Sequence, residues 1–360
     1  MENFFHQTRQ KSVWKMVNSL DLDGILFNSL ENIRYLCGFT GSDGVFILTR
    51  REAFFLTDPR YWTQSEEEVK ESQIIRYKKK TDGIVSVLSD LKLKRIGFES
   101  ASLPFSFHQS LSEKLAKEIR LIPLEGEIRN LRAVKDTQEL ALTRNAIDIS
   151  SKAFLHIMEM LKEGHVESTI ALEMEFFMKR HGSEATGFDI IVASGKRSAL
   201  PHGRASSKRI EKGDFILIDF GSRAQGYHSD QTRTLVCGKP SSEQEKVYRI
   251  VREAHDKAIE KARAGIPIYE VDEAARDHIR KCGYDQYFGH GTGHGIGLAV
   301  HESPGINREN KDPIQQGMVF TIEPGIYIPD WGGVRIEDMI RVTSQGAEIL
   351  TWLPTDLKLV

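Results

Sequence analysis

The chain has 360 residues, with 49 Lys and Arg against 51 Asp and Glu, 40% hydrophobic and 28% charged residues and a formal charge of −2, a globular composition with room for one very large domain or two ordinary ones. Its longest basic block is Lys78-Lys79-Lys80, so nucleic-acid binding has no electrostatic footprint, and no apolar run approaches the ~20 residues of a transmembrane helix. The first sixteen residues, MENFFHQTRQKSVWKM, lack the apolar core of a signal peptide, and Cys37, Cys237 and Cys282 are too few and too far apart for a disulfide framework or a zinc knuckle, which points to a reducing, cytoplasmic setting.

Along residues 1–127, short β-branched and aromatic runs alternate with helical segments. DGILFN (23–28), GVFILT (44–49), EAFFLTD (52–58), SQIIRY (72–77), RIGFES (95–100) and IRLIPL (119–124) read as strands. YWTQSEEEVKE, GIVSVLSDLK and SFHQSLSEKLAKE read as helices between them. The pattern is that of an α/β domain. GFTGSDG (38–44) reads as a turn-rich strand connection.

A second, larger α+β domain is expected over 128–360. Asp136 reads as an N-cap with Glu139 three residues on, a capping-box variant, opening a helix to about Leu161. A second helix spans Glu167 to Arg180. Strands follow at DIIVAS (189–194), DFILIDFG (214–221) and TRTLVCG (232–238), then two more helices, SSEQEKVYRIVREAHDKAIEKA and YEVDEAARDHIRKC. The end is strand-rich.

FGHGTGHGIGLAVHES (288–303) holds three histidines among five glycines. His290 and His294 have the i, i+4 spacing of a metal-binding helix, but the glycines weaken any helix there. No register gives the dinucleotide fingerprint G-x-G-x-x-G.

Two strand pairs carry acids in costly places. ILIDFGSRAQGYHSDQTRTLV reads as a hairpin with its turn near Arg223–Gln225, which sets Asp219 opposite Asp230. TIEPGIYIPDWGGVRIEDMI reads as a hairpin with its turn near Asp330, which sets Glu323 opposite Glu337. Each acid follows a strongly apolar run. Like charges across a strand pair destabilise it, and burying them costs several kcal/mol each unless they are paired, protonated or metal-bound. Two such pairs in one domain point to a shared cation. Four carboxylates and one neutral histidine suit two divalent ions, with oxygen-rich ligands favouring Mn²⁺ and leaving Co²⁺, Fe²⁺ or Zn²⁺ open. Paired ions of this kind activate water and polarise a carbonyl. No H-E-x-x-H helix is present, which excludes a single-zinc peptidase of that class.

The ordered set Asp219, Asp230, His294, Glu323, Glu337, in LIDFG, SDQTRT, GHGTGHGIG, TIEPG and VRIEDM, resembles the dinuclear metal set of the methionine aminopeptidase, aminopeptidase P and prolidase superfamily, the M24 metallopeptidases of the pita-bread fold. NIRYLCGFTGSDGVFILT and FFLTDPRYWTQSEEE resemble the creatinase-like N-terminal domain of aminopeptidase P and prolidase, and RNLRAVKDTQELALTRNAIDIS resembles the start of their catalytic domain. The resemblance implies an N-terminal α/β domain serving specificity and dimerisation, a C-terminal pita-bread catalytic domain, and a homodimer. It implies that Asp219 is a terminal ligand of one ion, His294 and Glu323 ligands of the other, and Asp230 and Glu337 bridges. It places His202, His290 and His301 on the substrate, Arg335 beside the bridging ligands, and Glu323 as general base and acid for a hydroxide attacking the carbonyl. The remaining histidines read as structural or solvated.

The implied reaction is hydrolysis of a Xaa-Pro bond with release of the N-terminal residue, on peptides with proline second. That bond is a tertiary amide without an N–H. An Xaa-Pro aminopeptidase is the first reading and an Xaa-Pro dipeptidase (prolidase) the alternative. Metal-free creatinase chemistry and a non-catalytic pita-bread binding protein are disfavoured by the complete acidic set.

Overall fold

The computed structural model describes residues 2–360. The chain divides into two compact units, 1–131 and 132–360. The sequence sets the boundary at 127/128. The difference arises because α6 (Gly126–Arg129) packs on α1 (Glu2–Met16), and Ile128 and Leu131 are buried.

The first unit is one six-stranded mixed sheet with helices. Its strands are β1 (Gly24–Phe27), β2 (Val45–Thr49), β3 (Ala53–Thr57), β4 (Gln73–Arg76), β5 (Arg95–Glu99) and β6 (Arg120–Leu124), in the order β4-β3-β2-β1-β5-β6. The β1–β2 and β2–β3 pairs are antiparallel, the other three parallel. Parallel pairs need crossovers, and α4 (Lys80–Asp90) and α5 (Phe105–Lys114) supply them, burying Ile84, Leu88 and Leu111 against Leu26, Ile47, Leu56 and Ile96. α3 (Trp62–Glu68) lies where YWTQSEEEVKE sets a helix. Neither α1 nor α2 (Leu30–Cys37) stands out in the residue pattern. α2 is held from outside its own sequence. Ser29 Oγ accepts from Asn32 N, and Glu99 Oε2 on β5 accepts from Ser29 N at 2.7 Å. Such a cap satisfies donors that the first helical turn leaves open.

The second unit opens with α7 (Thr137–Met160), started by a full capping box between Asp136 and Glu139, and α8 (Glu167–Arg180). β7 (Ala185–Thr186), β8 (Ile191–Ser194), β9 (Phe215–Phe220), β10 (Ser222–Ala224), β11 (Tyr227–His228) and β12 (Gln231–Val236) follow, then α9 (Ser242–Lys261) and α10 (Tyr269–Lys281). The chain continues through β13 (Gly293–Gly295), β14 (Glu302–Ile306), β15 (Val319–Ile322), β16 (Gly325–Ile328), β17 (Gly332–Arg335), β18 (Asp338–Val342) and β19 (Ala347–Ile349). α7 and α8 bury Phe154, Ile157, Met174 and Met178 against Val192, Ile216 and Ile218. α9 and α10 bury Val247, Val251, Val271 and Ile279 against Phe320, Ile322 and Val334. Two helix pairs therefore back two sets of strands; Asp219 sits on β9, Asp230 directly before β12, and Glu323 and Glu337 in the short breaks between β15 and β16 and between β17 and β18. No described helix is long and apolar enough to cross a membrane.

The first acidic hairpin differs from the expected register. β9 and β12 pair Asp219 with Thr232, and β10 and β11 pair Ala224 with Tyr227. The turn is therefore Gln225–Gly226, one residue later than expected. Both turn residues have positive φ, 49° and 80°, as a type I′ hairpin turn requires, and glycine supplies the second at little cost. Asp230 stands two residues before Thr232, on the same face by strand alternation, so Asp219 and Asp230 are diagonal neighbours rather than directly opposed. The second hairpin keeps the expected register. Ile322 faces Asp338 and Gly325 faces Arg335, which leaves Glu323 and Glu337 across from one another.

Candidate metal centre

One cavity of about 520 Å³ is lined by Asp219, Asp230, His294, Glu323 and Glu337, together with His202, His290, His301 and Arg335. These residues come from both hairpins, from β13 and from the loop after β8. The histidine-rich stretch is not a helix. His294 sits in the short strand β13, between β14 and β15. The glycines beside it admit close strands. A Cβ on Gly293 would lie 1.9 Å from the Thr321 carbonyl oxygen, and one on Gly295 2.2 Å from that of Ser303.

The orientation of His294 follows from its hydrogen bond. Nδ1 lies 3.1 Å from the Gly295 carbonyl oxygen, which can only accept, so Nδ1 carries the proton and Nε2 presents a lone pair. That lone pair faces Asp230 Oδ2 at 3.6 Å and Glu323 Oε1 at 3.5 Å. Burial lowers the His294 pKa, so the ring stays neutral near pH 7. A lone pair and carboxylate oxygens directed at one point repel unless a cation lies between them. Ligand atoms of Asp230, His294 and Glu337 come within 4.8 Å of one another, close enough to hold one ion.

The carboxylates carry the same message. Burial raises the pKa of Asp230 well above its usual value, and Glu337, Asp219 and Glu323 add to the effect. Burial likewise raises Glu337, reinforced by Glu323 and Asp219. Glu323 is raised by burial, with His290 and Arg335 acting against it. Asp219 Oδ1 and Asp230 Oδ1 are buried without a hydrogen-bond partner. Buried acceptors are ordinarily satisfied. Divalent cations fit this donor set, with oxygen from four carboxylates and nitrogen from one imidazole.

Arg335 ties the site together. Nη2 donates to Asp219 Oδ2 at 2.6 Å, Nε to Thr232 Oγ1 at 3.0 Å, and Nη1 to Tyr327 Oη at 2.9 Å and to the Pro201 carbonyl at 3.2 Å. Thr232 Oγ1 in turn donates a hydrogen bond to Glu337 Oε2 at 2.7 Å. Tyr327 Oη lies 3.0 Å from His290 Nε2. Since His290 Nδ1 donates to the Gly291 carbonyl at 2.8 Å, Nε2 of the neutral ring accepts and Tyr327 donates. Burial pushes the Tyr327 phenol up to about 12, so it keeps its proton. Behind the glycine-rich stretch, buried Asp272 accepts from Thr292 N and Oγ1 and holds Arg276 at 3.0 Å through two nitrogens. Arg276 in turn donates to the carbonyls of Phe288 and His290.

Thr232, Tyr327, Asp272 and Arg276 are absent from the residues singled out by sequence. The first two carry one signal: Thr232 is two residues from Asp230 and Tyr327 four from Glu323, the spacing that keeps strand residues on one face.

Residues 141–344 match the family model of metallopeptidase family M24, and residues 9–134 that of the creatinase/prolidase N-terminal domain. The chain belongs to metallopeptidase family M24. An Xaa-Pro dipeptidase of Pyrococcus horikoshii is 40% identical over 342 residues, 95% of this chain and 96% of that protein. An Xaa-Pro dipeptidase from Bacillus anthracis superposes with a TM-score of 0.95 at 39% identity, covering 99% of this chain and 100% of that one. An X-Pro aminopeptidase from Thermotoga maritima gives 0.88 at 38% identity, covering 96% and 100%. This M24 chain therefore has the creatinase-like N-terminal domain and pita-bread catalytic domain of its relatives and is a metallopeptidase.

Proposed function

We propose that this M24 peptidase hydrolyses the Xaa-Pro bond, with Xaa-Pro dipeptides as its main substrates. The observation that carries the reading is the single cavity in which four carboxylates and a neutral imidazole converge, in a chain closely similar along its whole length to Xaa-Pro dipeptidases. Release of the residue before proline from longer peptides is the second reading, favoured by the Thermotoga maritima structure.

Asp219, Asp230, His294, Glu323 and Glu337 would hold two divalent ions, Mn²⁺ being our assignment from the oxygen-rich set. When bound, these ions polarise the scissile carbonyl and ease deprotonation of water. Glu323 takes the proton of the attacking water and returns it to the proline nitrogen as the bond breaks. Its half-buried position and raised pKa suit both roles. His202 and His301 line the same cavity and hold the substrate, and the His301 ring is tilted against that of His294 with centroids 4.2 Å apart. His290, kept neutral by burial and oriented by Tyr327, is a hydrogen-bonding group on the wall. Arg335 fixes Asp219 and the Pro201 carbonyl beside His202. The reading also includes a cytoplasmic homodimer in which the 1–127 domain contributes specificity and dimerisation.

One reaction tests it. The Mn²⁺-loaded protein is given equimolar Ala-Pro, Ala-Pro-Ala and Ala-Ala-Ala, and products are followed by mass spectrometry. Loss of Ala-Pro ahead of the others is expected. Release of Pro-Ala from Ala-Pro-Ala at the higher rate would favour the aminopeptidase reading. Cleavage of Ala-Ala-Ala would remove proline selectivity.

A further inference from the structure

The mouth of the cavity carries a charged pair that the floor does not use. Arg204 and Asp189 both line the cavity. Arg204 Nη2 lies 3.4 Å from Asp189 Oδ2, with the two side chains 86% and 81% exposed. An ion pair so exposed contributes little, so exchanging Asp189 for another carboxylate costs Arg204 little. Among the described residues, the lining has one other permanent cation, Arg335. Its side chain is 4% exposed and already engaged with Asp219.

The segment that bears Arg204 is tied down. The Arg204 carbonyl accepts from Arg197 Nη2 at 2.6 Å. Ser206 donates to Glu167 through N at 3.1 Å and Oγ at 2.6 Å. Glu167 is fully buried at the start of α8 and also receives Ser194 N and Oγ and Arg197 Nε. Upstream, the Pro201 carbonyl is held by Arg335. The Arg204 side chain therefore projects over the cavity from a backbone fixed on both sides. A guanidinium offered this way can take a carboxylate through two parallel hydrogen bonds.

We propose that Arg204 binds the free α-carboxylate of the proline in Xaa-Pro dipeptides and is a specificity-determining residue; this rests on the Xaa-Pro reading above. Hydrolysis at the floor fixes the scissile carbonyl among Glu323, His301 and His202. One residue precedes that carbonyl, so a longer peptide can extend only past the proline, and the exposed Arg204 and Asp189 mark the open side of the same cavity, where such a chain would leave. In a dipeptide, a carboxylate stands one residue beyond the scissile bond, about 3.5 Å along the chain. In a longer peptide the same position is a neutral amide, and Arg204 has no anion to receive.

The test compares Ala-Pro with Ala-Pro-amide, which differ only in that charge, on Mn²⁺-loaded wild type, Arg204→Gln and Arg204→Lys. Wild type is expected to favour Ala-Pro. Arg204→Gln is expected to lower kcat/KM for Ala-Pro roughly tenfold more than for the amide, the loss of a charge-assisted bond, with the change in KM. Arg204→Lys should recover part of it, since it keeps the charge without the fork. Equal losses on both substrates would overturn the assignment, as would a wild type indifferent to the amide. A wild type that cleaves neither, with metal bound, would overturn the Xaa-Pro reading and this assignment with it.

Discussion

The two acidic hairpins look alike in sequence, yet the structure handles their charges differently. Asp219 on the first has a buried arginine at 2.6 Å. Asp230 on the same hairpin and Glu337 on the second have no such partner. Glu337 receives one hydroxyl from Thr232, and Asp230 Oδ1 receives nothing. The demand for outside positive charge is thus concentrated where Asp230, Glu337 and His294 meet, and Arg335 serves the Asp219 side. Arg335 holds only one Asp219 oxygen, and Oδ1 is buried without a partner, so the protein offsets part of the charge on that side and leaves an oxygen free to face a cation.

The sharpest way to break that comparison is to remove one acid from the cation-poor end. Asp230→Ala and Glu337→Ala are each expected to lower turnover on Ala-Pro by more than about 100-fold, beyond the range typical of outer-shell partners, and to lower bound metal measured by elemental analysis. Near-normal turnover with full metal content in either variant would refute a shared ion there.

Metal removal sharpens the same contrast through pH. The folded-state pKa values of Asp230 and Glu337 are raised by burial first and by neighbouring carboxylates second. The folded metal-free protein therefore binds protons more tightly than the unfolded chain, whose acids titrate near pH 4. That contribution is fully present below the unfolded pKa and is lost as pH rises toward the raised values. Metal binding requires the deprotonated acids, so it weakens as pH falls. The gap in Tm between loaded and metal-free protein should then be wide at pH 7.5, about 3 kcal/mol of stabilisation at a hundredfold excess over Kd, and should close toward pH 5. Parallel Tm curves would contradict this account of the acids.

Much of the architecture was legible because local pattern and tertiary role agree. The six strands of the first unit lie within runs of β-branched and aromatic residues, and α7 starts where Asp136 and Glu139 form their box. α2 was not legible because part of its cap, Glu99, lies about 70 residues away. The four acids and the histidine of the proposed metal set, with His202, His290, His301 and Arg335, stand out because their residue types are costly or odd in apolar or glycine-rich surroundings, and one cavity collects them. Tyr327 and Asp272 did not stand out. A tyrosine in a strand and an acid in an amphipathic helix are ordinary until the group they touch is known.

Tyr327 offers the next test. Its hydroxyl bridges Arg335 on one hairpin strand and His290 from the glycine-rich stretch. Tyr327→Phe keeps the ring and removes the hydroxyl. Turnover on Ala-Pro is expected to fall about 10-fold, the low end for a group that orients others, with metal content retained. Unchanged turnover would reduce Tyr327 to a packing role.

The smallest effect concerns the turn that distinguishes the two registers. Gly226 has φ of 80° and follows Gln225 at 49°, so the I′ turn already holds one non-glycine residue in the left-handed region. Gly226→Ala would place a second there, at a cost of about 1–3 kcal/mol. The β9–β12 ladder has six residue pairs and is wholly buried, and slipping it by one residue would exchange the side chains packed on its two buried faces. The register should therefore hold, and the cost should appear as a lower denaturation midpoint with metal stoichiometry preserved. If Gly226→Ala instead lost metal while remaining folded, the turn would be setting the diagonal between Asp219 and Asp230, and the ladder would not be strong enough to fix it alone.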